Sequence, residues 1–242
     1  MKTLAFSGLL VLVCVLGAIP SSASMLFDNG TPDLEAAFFA DADGYGMQCA
    51  ENFFGIAGST DVADITGIQW FGVYYGNSAP AADDFTVSFY SLEAGSRPTI
   101  SAFRTIDAGA ANRVDTGIDF LANGGTTTHD VYSYSIDISA LTLNMSGTYF
   151  ISISNSSPTS SSSDDWLWCS SNNVGGRFWY RYGYDMWYTS NDWPYDLAFN
   201  LTGTIHENGG VYPEPSSVCL VAIGLAGLAA RRFRKRLNTG TR

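Results

Sequence analysis

The sequence predicts an all-β protein, built as a single antiparallel β-sandwich of the jelly-roll type. Short runs rich in Val, Ile, Thr, Phe and Tyr recur between clusters of Gly, Asn, Asp, Ser and Pro. The sequence shows no long helical periodicity, and no internal repeat that would indicate a propeller or a solenoid. Seven or more short strands in about 185 residues favour two stacked sheets.

Seven segments carry the strand pattern. They are Ile65–Tyr75, Phe85–Leu92, Thr99–Ile106, Val131–Ile138, Gly147–Ser154, Arg177–Tyr184 and Leu197–Ile205. The alternation is cleanest in the second segment, where Phe85, Val87 and Phe89 share one face and small or polar residues share the other. Tyr149 and Ile151 repeat the pattern in the fifth segment. The apolar faces of both segments are therefore expected to line the core.

Residues 1–24 have the parts of a secretory signal peptide. A lysine at the second position is followed by the apolar stretch Leu4–Ile19 and by small residues, with cleavage expected after Ala23 or Ser24. This segment is excluded from the fold, so the β-sandwich domain is expected to span residues 25–205.

An apolar segment near the C-terminus is followed directly by a basic cluster. Residues 218–230 are the predicted transmembrane helix, and residues 231–242 are the predicted basic cytoplasmic tail. A helix of this length spans about 20 Å, which is short against a hydrocarbon core of roughly 30 Å. Because Arg and Lys clusters stay on the cytoplasmic side, the domain is expected to lie outside. The helix is either a transient handle that is later removed or a simple tail anchor.

The linker before this helix, residues 206–217, contains Pro213, Glu214 and Pro215. A Pro-Glu-Pro motif, an apolar run and a basic cluster in this order resemble the bacterial PEP-CTERM sorting signal. The resemblance implies an exported protein, a membrane sorting protease of the exosortase type as partner, and a final location at the cell surface or in the extracellular matrix. The stretch from Asp64 to Tyr74 also resembles strands of secreted PEP-CTERM β-sandwich domains, which are similar to carbohydrate-binding jelly rolls.

Cys49 and Cys169 are the two cysteines of the predicted domain. An exported domain matures in an oxidising compartment, so a disulfide between them is predicted. The alternative is two separate buried thiols.

The predicted domain and its linker are strongly acidic. Residues 25–210 contain 22 of the 23 acidic residues of the chain and five arginines, an excess of 17 negative charges. Such a surface repels phosphate backbones and therefore argues against nucleic-acid binding. Calcium is the cation that exposed carboxylates would bind, and Asp41-Ala42-Asp43-Gly44 is the candidate segment, although it departs from an EF-hand loop at Tyr45 and Asn52. No cofactor other than such a structural calcium is expected, and acidity that serves only solubility is the alternative.

The stretch from Asp164 to Tyr195 is the richest candidate for a ligand site, because it contains five tryptophans. Sugars stack their C–H faces on aromatic rings while polar side chains bond their hydroxyls. Strand alternation places Trp179 and Arg181 on one face. The candidate ligand-binding residues are Trp179, Arg181, Asp185, Trp187, Tyr188 and Asp192. The alternative is that most of these aromatic side chains fill the core.

Motifs for catalysis are not found in the sequence, which has no nucleophile elbow, zinc-binding helix or phosphate loop. His129 and His206 are interpreted as surface residues. The sequence therefore predicts a non-enzymatic surface or matrix protein that binds or organises extracellular polysaccharide in a biofilm. Two alternatives stay open: a purely structural surface protein without a ligand, and a secreted glycoside hydrolase, whose paired carboxylates leave little trace in one sequence.

Overall fold

The computed structural model describes residues 23–42, 46–76, 79–93, 96–121, 128–156, 165–173, 176–183, 185–189 and 193–207. These residues contain strands and no helix. The strands are β1 (Ser24–Asp28), β2 (Pro32–Phe39), β3 (Met47–Phe54), β4 (Val62–Tyr74), β5 (Phe85–Glu93), β6 (Arg97–Pro98), β7 (Arg104–Gly109), β8 (Asn112–Leu121), β9 (Thr128–Asn144), β10 (Thr148–Asn155), β11 (Trp166–Ser171), β12 (Trp179–Tyr182), β13 (Tyr188–Thr189) and β14 (Phe199–His206). The prediction of an all-β protein is confirmed.

The strands form two antiparallel sheets. In the first sheet one path of paired strands is β1-β14-β4-β11-β2. The long strand β4 also pairs with β9, and β9 pairs with β8. In the second sheet the order is β13-β12-β3-β10-β5-β6, and β7 also pairs with β5. The first strand therefore lies beside the last one, with Ser24 opposite Gly203.

The two sheets share one hydrophobic core that is dominated by aromatic side chains. Phe85 of β5 contacts Trp70 of β4 and Trp166 of β11, with ring centroids 5.2 and 5.1 Å apart. These distances are typical of favourable edge-to-face pairs. Gly72 makes room for one of these rings, because a Cβ atom at this position would lie 2.4 Å from the indole of Trp166.

The predicted apolar faces of β5 and β10 are confirmed as core. Phe85, Val87 and Phe89 are fully buried in the shared core, as is Ile151, and Tyr149 packs against it. Two predicted segments give shorter strands than expected. The strand predicted from residue 99 begins only at Arg104, and the segment Arg177–Tyr184 forms a strand only over Trp179–Tyr182. The strands β1, β2, β3, β6, β8, β11 and β13 are not among the predicted segments.

A second apolar cluster lies on the opposite face of the first sheet. We call it the outer cluster; it consists of Phe71, Val73, Phe120, Val131, Leu167, Cys169 and Ala198. Successive side chains of β11 point to opposite faces of the sheet. Trp166 and Trp168 therefore lie in the shared core, and Leu167 and Cys169 lie in the outer cluster. β8, which carries Phe120, also contacts β2.

The predicted disulfide is wrong, because Cys49 and Cys169 are both free thiols. Cys49 lies in the shared core, whereas Cys169 belongs to the outer cluster on the other face of the first sheet. The first sheet therefore separates the two side chains. Burial raises the pKa of both thiols, with the nearby Glu51 adding to the effect at Cys49 and Asp33 at Cys169.

Two thiols are therefore expected from this domain under non-reducing conditions. The measurement uses a Cys14→Ser/Cys219→Ser variant, which leaves only Cys49 and Cys169, and a chromogenic disulfide reagent. In the native protein both thiols should react slowly, because the thiolate is the reactive form and both side chains are buried. In guanidinium, two thiols per chain should react at once. A count of zero in guanidinium would show that the bond forms after all.

Candidate ligand-binding groove

A groove of about 550 Å³ runs along β2, which is an edge strand of the first sheet. We call it the β2 groove. Because side chains alternate along β2, the groove has two halves. The half on the side of the outer cluster is lined by Ala37, Phe39, Val73, Tyr75, Phe120, His129 and Leu167. The half on the side of the shared core is lined by Ala36, Phe38, Met47, Tyr182, Trp193 and Tyr195. Glu35 is exposed and completes the described lining.

Tyr75 presents an exposed ring in the first half of the groove. Its side chain is 52% exposed, although it immediately follows the buried strand β4. The ring is held in place by Phe39, at a centroid distance of 5.7 Å, and by the nearly parallel ring of His129, at 6.3 Å. An exposed aromatic ring that is supported in this way is a preorganised flat surface for a ligand.

Trp193 presents a second exposed ring in the other half. It is 38% exposed and stacks on the buried ring of Phe178, with an angle of 3° between the planes. Phe38 and Tyr180 contact it at centroid distances of 5.6 and 5.8 Å. Tyr182, also exposed, adds a third ring to the lining. The groove therefore combines rigid apolar surfaces with access from solvent.

His129 supplies a polar atom at the floor of the groove. Nδ1 lies 2.9 Å from the carbonyl oxygen of Tyr74, and because a carbonyl only accepts, Nδ1 donates in this bond. The side chain is 6% exposed, and Nε2 has no hydrogen-bond partner among the described residues. The interpretation of His129 as a surface residue is therefore wrong, because β9 places its largely buried ring beside Tyr75 and Phe120. His206 is exposed, and its Nε2 lies 2.7 Å from Oδ2 of Asp64.

The predicted ligand-binding residues that the structure describes lie mainly on the second sheet and do not line the β2 groove. Trp179 is half-buried, whereas Asp185 and Tyr188 are exposed. Arg181 and Trp187 are buried, so these two side chains are not on an exposed patch as predicted. Asp192 lies outside the described residues.

Arg181 is buried because all parts of its guanidinium group are already engaged. Nε donates to Gln48, Nη1 to the carbonyl of Ile100 and Nη2 to the hydroxyl of Tyr90, at 2.8–3.0 Å. The group also lies over the ring of Trp187, 4.3 Å from its centroid. These contacts hold the segment after β6 against the second sheet, which is a structural role.

A pair of buried acidic residues lies between the two sheets and not in the groove. Glu51 is fully buried, and its carboxylate accepts backbone N–H groups from Asn52 and Leu197, each at 2.9 Å. Burial and the nearby Asp196 raise the pKa of Glu51 to about 8. Asp196 in turn accepts a hydrogen bond from the backbone of Gly176. These contacts tie the chain segments together and leave Glu51 without access to solvent.

Metal ligands do not converge in the described part of the chain, where no group of three or more His, Cys, Asp or Glu side chains is placed to hold an ion. Of the candidate calcium segment, Asp41 is buried and accepts a hydrogen bond from the backbone of Trp166 at 3.3 Å. Asp43 and Gly44 lie outside the described residues.

The segments predicted to meet the membrane lie outside the described residues. These are residues 1–22 of the predicted signal peptide, the Pro213–Pro215 motif, the helix 218–230 and the basic tail. Ser24, the last residue of the predicted signal peptide, is the first residue of β1. Within the described residues, no helix is long and apolar enough to span a bilayer.

Comparison with protein families gives one match. Residues 213–235 match the PEP-CTERM protein-sorting motif, which covers the predicted Pro-Glu-Pro stretch, the apolar run and most of the basic cluster. No curated protein matches the chain. The match supports export and processing through an exosortase, and it does not extend to the β-strand domain. The chain therefore carries a PEP-CTERM sorting signal at its C-terminal end, as its sequence predicts.

Proposed function

We propose that this exported protein has a β-sandwich domain of the jelly-roll type that binds extracellular polysaccharide through the β2 groove without catalysing a reaction. One observation carries the proposal: Tyr75 and Trp193 are exposed to solvent while buried rings hold them in place around one groove. Large exposed aromatic side chains in a concave site are a sign of ligand binding. After sorting, the domain would hold or organise polysaccharide at the cell surface or in a biofilm matrix.

The size and lining of the groove suit a sugar chain. Ligand pockets typically measure about 300–1,000 Å³, and the β2 groove falls inside this range. Stacking on flat rings requires no particular sequence of sugars, which suits a repetitive matrix polysaccharide.

The distribution of carboxylates favours binding over hydrolysis. A glycosidase needs two carboxyl groups on either side of the scissile bond, roughly 5–10 Å apart. Among the described residues that line the groove, Glu35 is the one carboxylate. Glu51 has a raised pKa, as catalytic acids often do, but it is enclosed between the sheets. The main alternative is a surface protein that has only a structural role and binds no ligand. The exposed rings of Tyr75 and Trp193 argue against this alternative.

Replacing either exposed ring should weaken retention on polysaccharide. Tyr75→Ala and Trp193→Ala are each expected to reduce affinity about tenfold, because each removes one stacking surface from the bound chain. The measurement is affinity electrophoresis of the folded variants through gels that contain single polysaccharides. Tyr188→Ala is the matched control, since Tyr188 is 46% exposed but lies on β13, outside the groove.

The same experiment separates the alternatives. If Tyr188→Ala loses retention and the groove variants keep it, the site lies on the second sheet, near the residues that the sequence singled out. If the unaltered protein is not retained on any polysaccharide of a broad panel, the structural alternative is correct. Release of oligosaccharides from the gels would show a hydrolase.

A further inference from the structure

The charge of the domain limits which polysaccharides can enter the groove. The acidic excess of 17 charges remains after all five arginines of residues 25–210 have been counted. Arg97 pairs with Glu93, Arg113 pairs with Asp83, Arg104 bonds Ser139, and Arg181 is buried in its own hydrogen bonds. A uronate, sulfate or phosphate group on a sugar would be repelled on approach.

The lining of the groove offers an anionic sugar no compensation. None of the described lining residues is a lysine or an arginine, and anionic sugars are held by such side chains. An amine-bearing sugar has one possible partner, the carboxylate of Glu35. Because Glu35 is exposed, an ion pair there would be screened and weak. An uncharged sugar is therefore the class that the lining suits best.

His129 adds a specific contact for such a sugar. Its Nδ1 donates to the carbonyl of Tyr74, so in the neutral imidazole Nε2 is left as an acceptor. Nε2 has no partner among the described residues and is not among the fully buried polar atoms, so it is open to a hydroxyl group in the groove. Tyr75 and His129 line the same half of the groove, so a sugar that packs against Tyr75 in this half has a hydroxyl within reach of His129.

We infer that the β2 groove binds a neutral hexose polymer, with the sugar ring stacked on Tyr75 and a sugar hydroxyl donating to Nε2 of His129. This inference rests on the proposed function of the groove and names the class of its ligand. Uronate-containing and phosphorylated polymers are excluded by the charge of the domain, and deacetylated amino sugars gain too little from Glu35 alone.

The test uses the full-length protein in mild detergent and four soluble polymers of similar length: a neutral glucan, the same glucan O-methylated, a polyuronate and chitosan. Binding is followed by titration calorimetry at 20 and 300 mM salt. At 300 mM salt, which screens the general attraction of chitosan to the acidic domain and of the polyuronate to the basic tail, the neutral glucan should bind at least tenfold more tightly than either. Its affinity should change less than twofold with salt, because no ion pair is formed.

The methylated glucan tests the hydroxyl contact with the protein unaltered. Methylation removes the hydroxyl donor, so binding should weaken at least tenfold. His129→Phe, which keeps a flat ring beside Tyr75, should bind the neutral glucan about tenfold more weakly, and circular dichroism checks that it folds. Equal binding of both glucans would overturn the role of His129. Tighter binding of the polyuronate or chitosan at 300 mM salt would overturn the ligand class while leaving the groove as a glycan site, whereas no binding of any polymer would overturn the proposed function itself.

Discussion

Raising the pH from 5 to 9 is expected to lower the free energy of unfolding by about 4 kcal/mol through one side chain, Glu51. Its pKa is raised from the ordinary 4.5 to about 8, first by burial and then by the nearby Asp196. Between pH 4.5 and about pH 8, the carboxyl group of Glu51 keeps its proton in the folded state and has lost it in the unfolded state. The stabilisation from this group is therefore complete below pH 4.5 and is lost as the pH rises through 8.

Chemical denaturation of the unaltered protein and of Glu51→Gln at several pH values isolates this contribution. At pH 5 the free energy of unfolding of the variant should be lower by about 1–3 kcal/mol. Glu51 accepts hydrogen bonds from two backbone N–H groups, and the NH₂ group of a glutamine would face one of them without being able to accept. Its stability should change much less between pH 5 and 9, so that the two curves approach each other or cross. Parallel curves would show that Glu51 does not cause the pH dependence.

Arg113→Ala is expected to lower the free energy of unfolding by about 3 kcal/mol. Nη1 of Arg113 donates to both carboxylate oxygens of Asp83, at 3.0 and 3.2 Å, and Nη2 donates to the carbonyl of Pro80. Asp83 also accepts a hydrogen bond from the hydroxyl of Tyr74, and its side chain is almost fully buried. Removal of the arginine leaves a buried carboxylate without its counter-charge, which costs more than the loss of a surface ion pair.

The matched control is Arg104→Ala. Arg104 lies on the exposed strand β7, and its guanidinium group donates to the hydroxyl of Ser139, so its loss should change stability by less than about 0.5 kcal/mol. The double variant Arg113→Ala/Asp83→Asn should recover part of the loss, since the unpaired charge is then absent. A small effect of Arg113→Ala, or no recovery in the double variant, would mean that the pair does not stabilise this region.

Strands with a regular alternation of apolar and polar residues could be predicted from the sequence, and strands without it could not. The strands β5 and β10 could be predicted because large apolar residues recur at every second position along them. β3 was hidden by Glu51, a charged residue in the middle of a buried strand. β8 was hidden because most of its residues are exposed on both faces. Burial of Glu51 depends on contacts with Leu197, which is distant in the sequence.

The six predicted ligand-binding residues are not among the described residues that line the groove. The aromatic stretch from Asp164 to Tyr195, in which they lie, does supply Leu167, Tyr182, Trp193 and Tyr195 to the lining. Which rings are exposed depends on tertiary contacts that no local pattern carries, such as the carbonyl of Thr99 that binds the indole of Trp187. The rest of the described lining comes from β2, from Met47 and from chain positions near Tyr75, Phe120 and His129, and no feature of the sequence joins these segments.

The disulfide prediction failed for a related reason. The number of cysteines and the oxidising compartment indicate only that two thiols could form a bond. The face of the first sheet on which each thiol lies depends on the strand register. The sorting signal, in contrast, is a linear order of motif, apolar run and basic cluster, so it could be predicted from sequence in full.

A crystal structure of the domain with a neutral hexasaccharide would locate the bound sugar. We expect sugar density in the β2 groove, with one ring packed against Tyr75, a hydroxyl within hydrogen-bond distance of Nε2 of His129, and a further ring against Trp193. Sugar density beside Trp179 and Tyr188 on the second sheet, or an empty groove in crystals saturated with a ligand that binds in solution, would contradict this expectation.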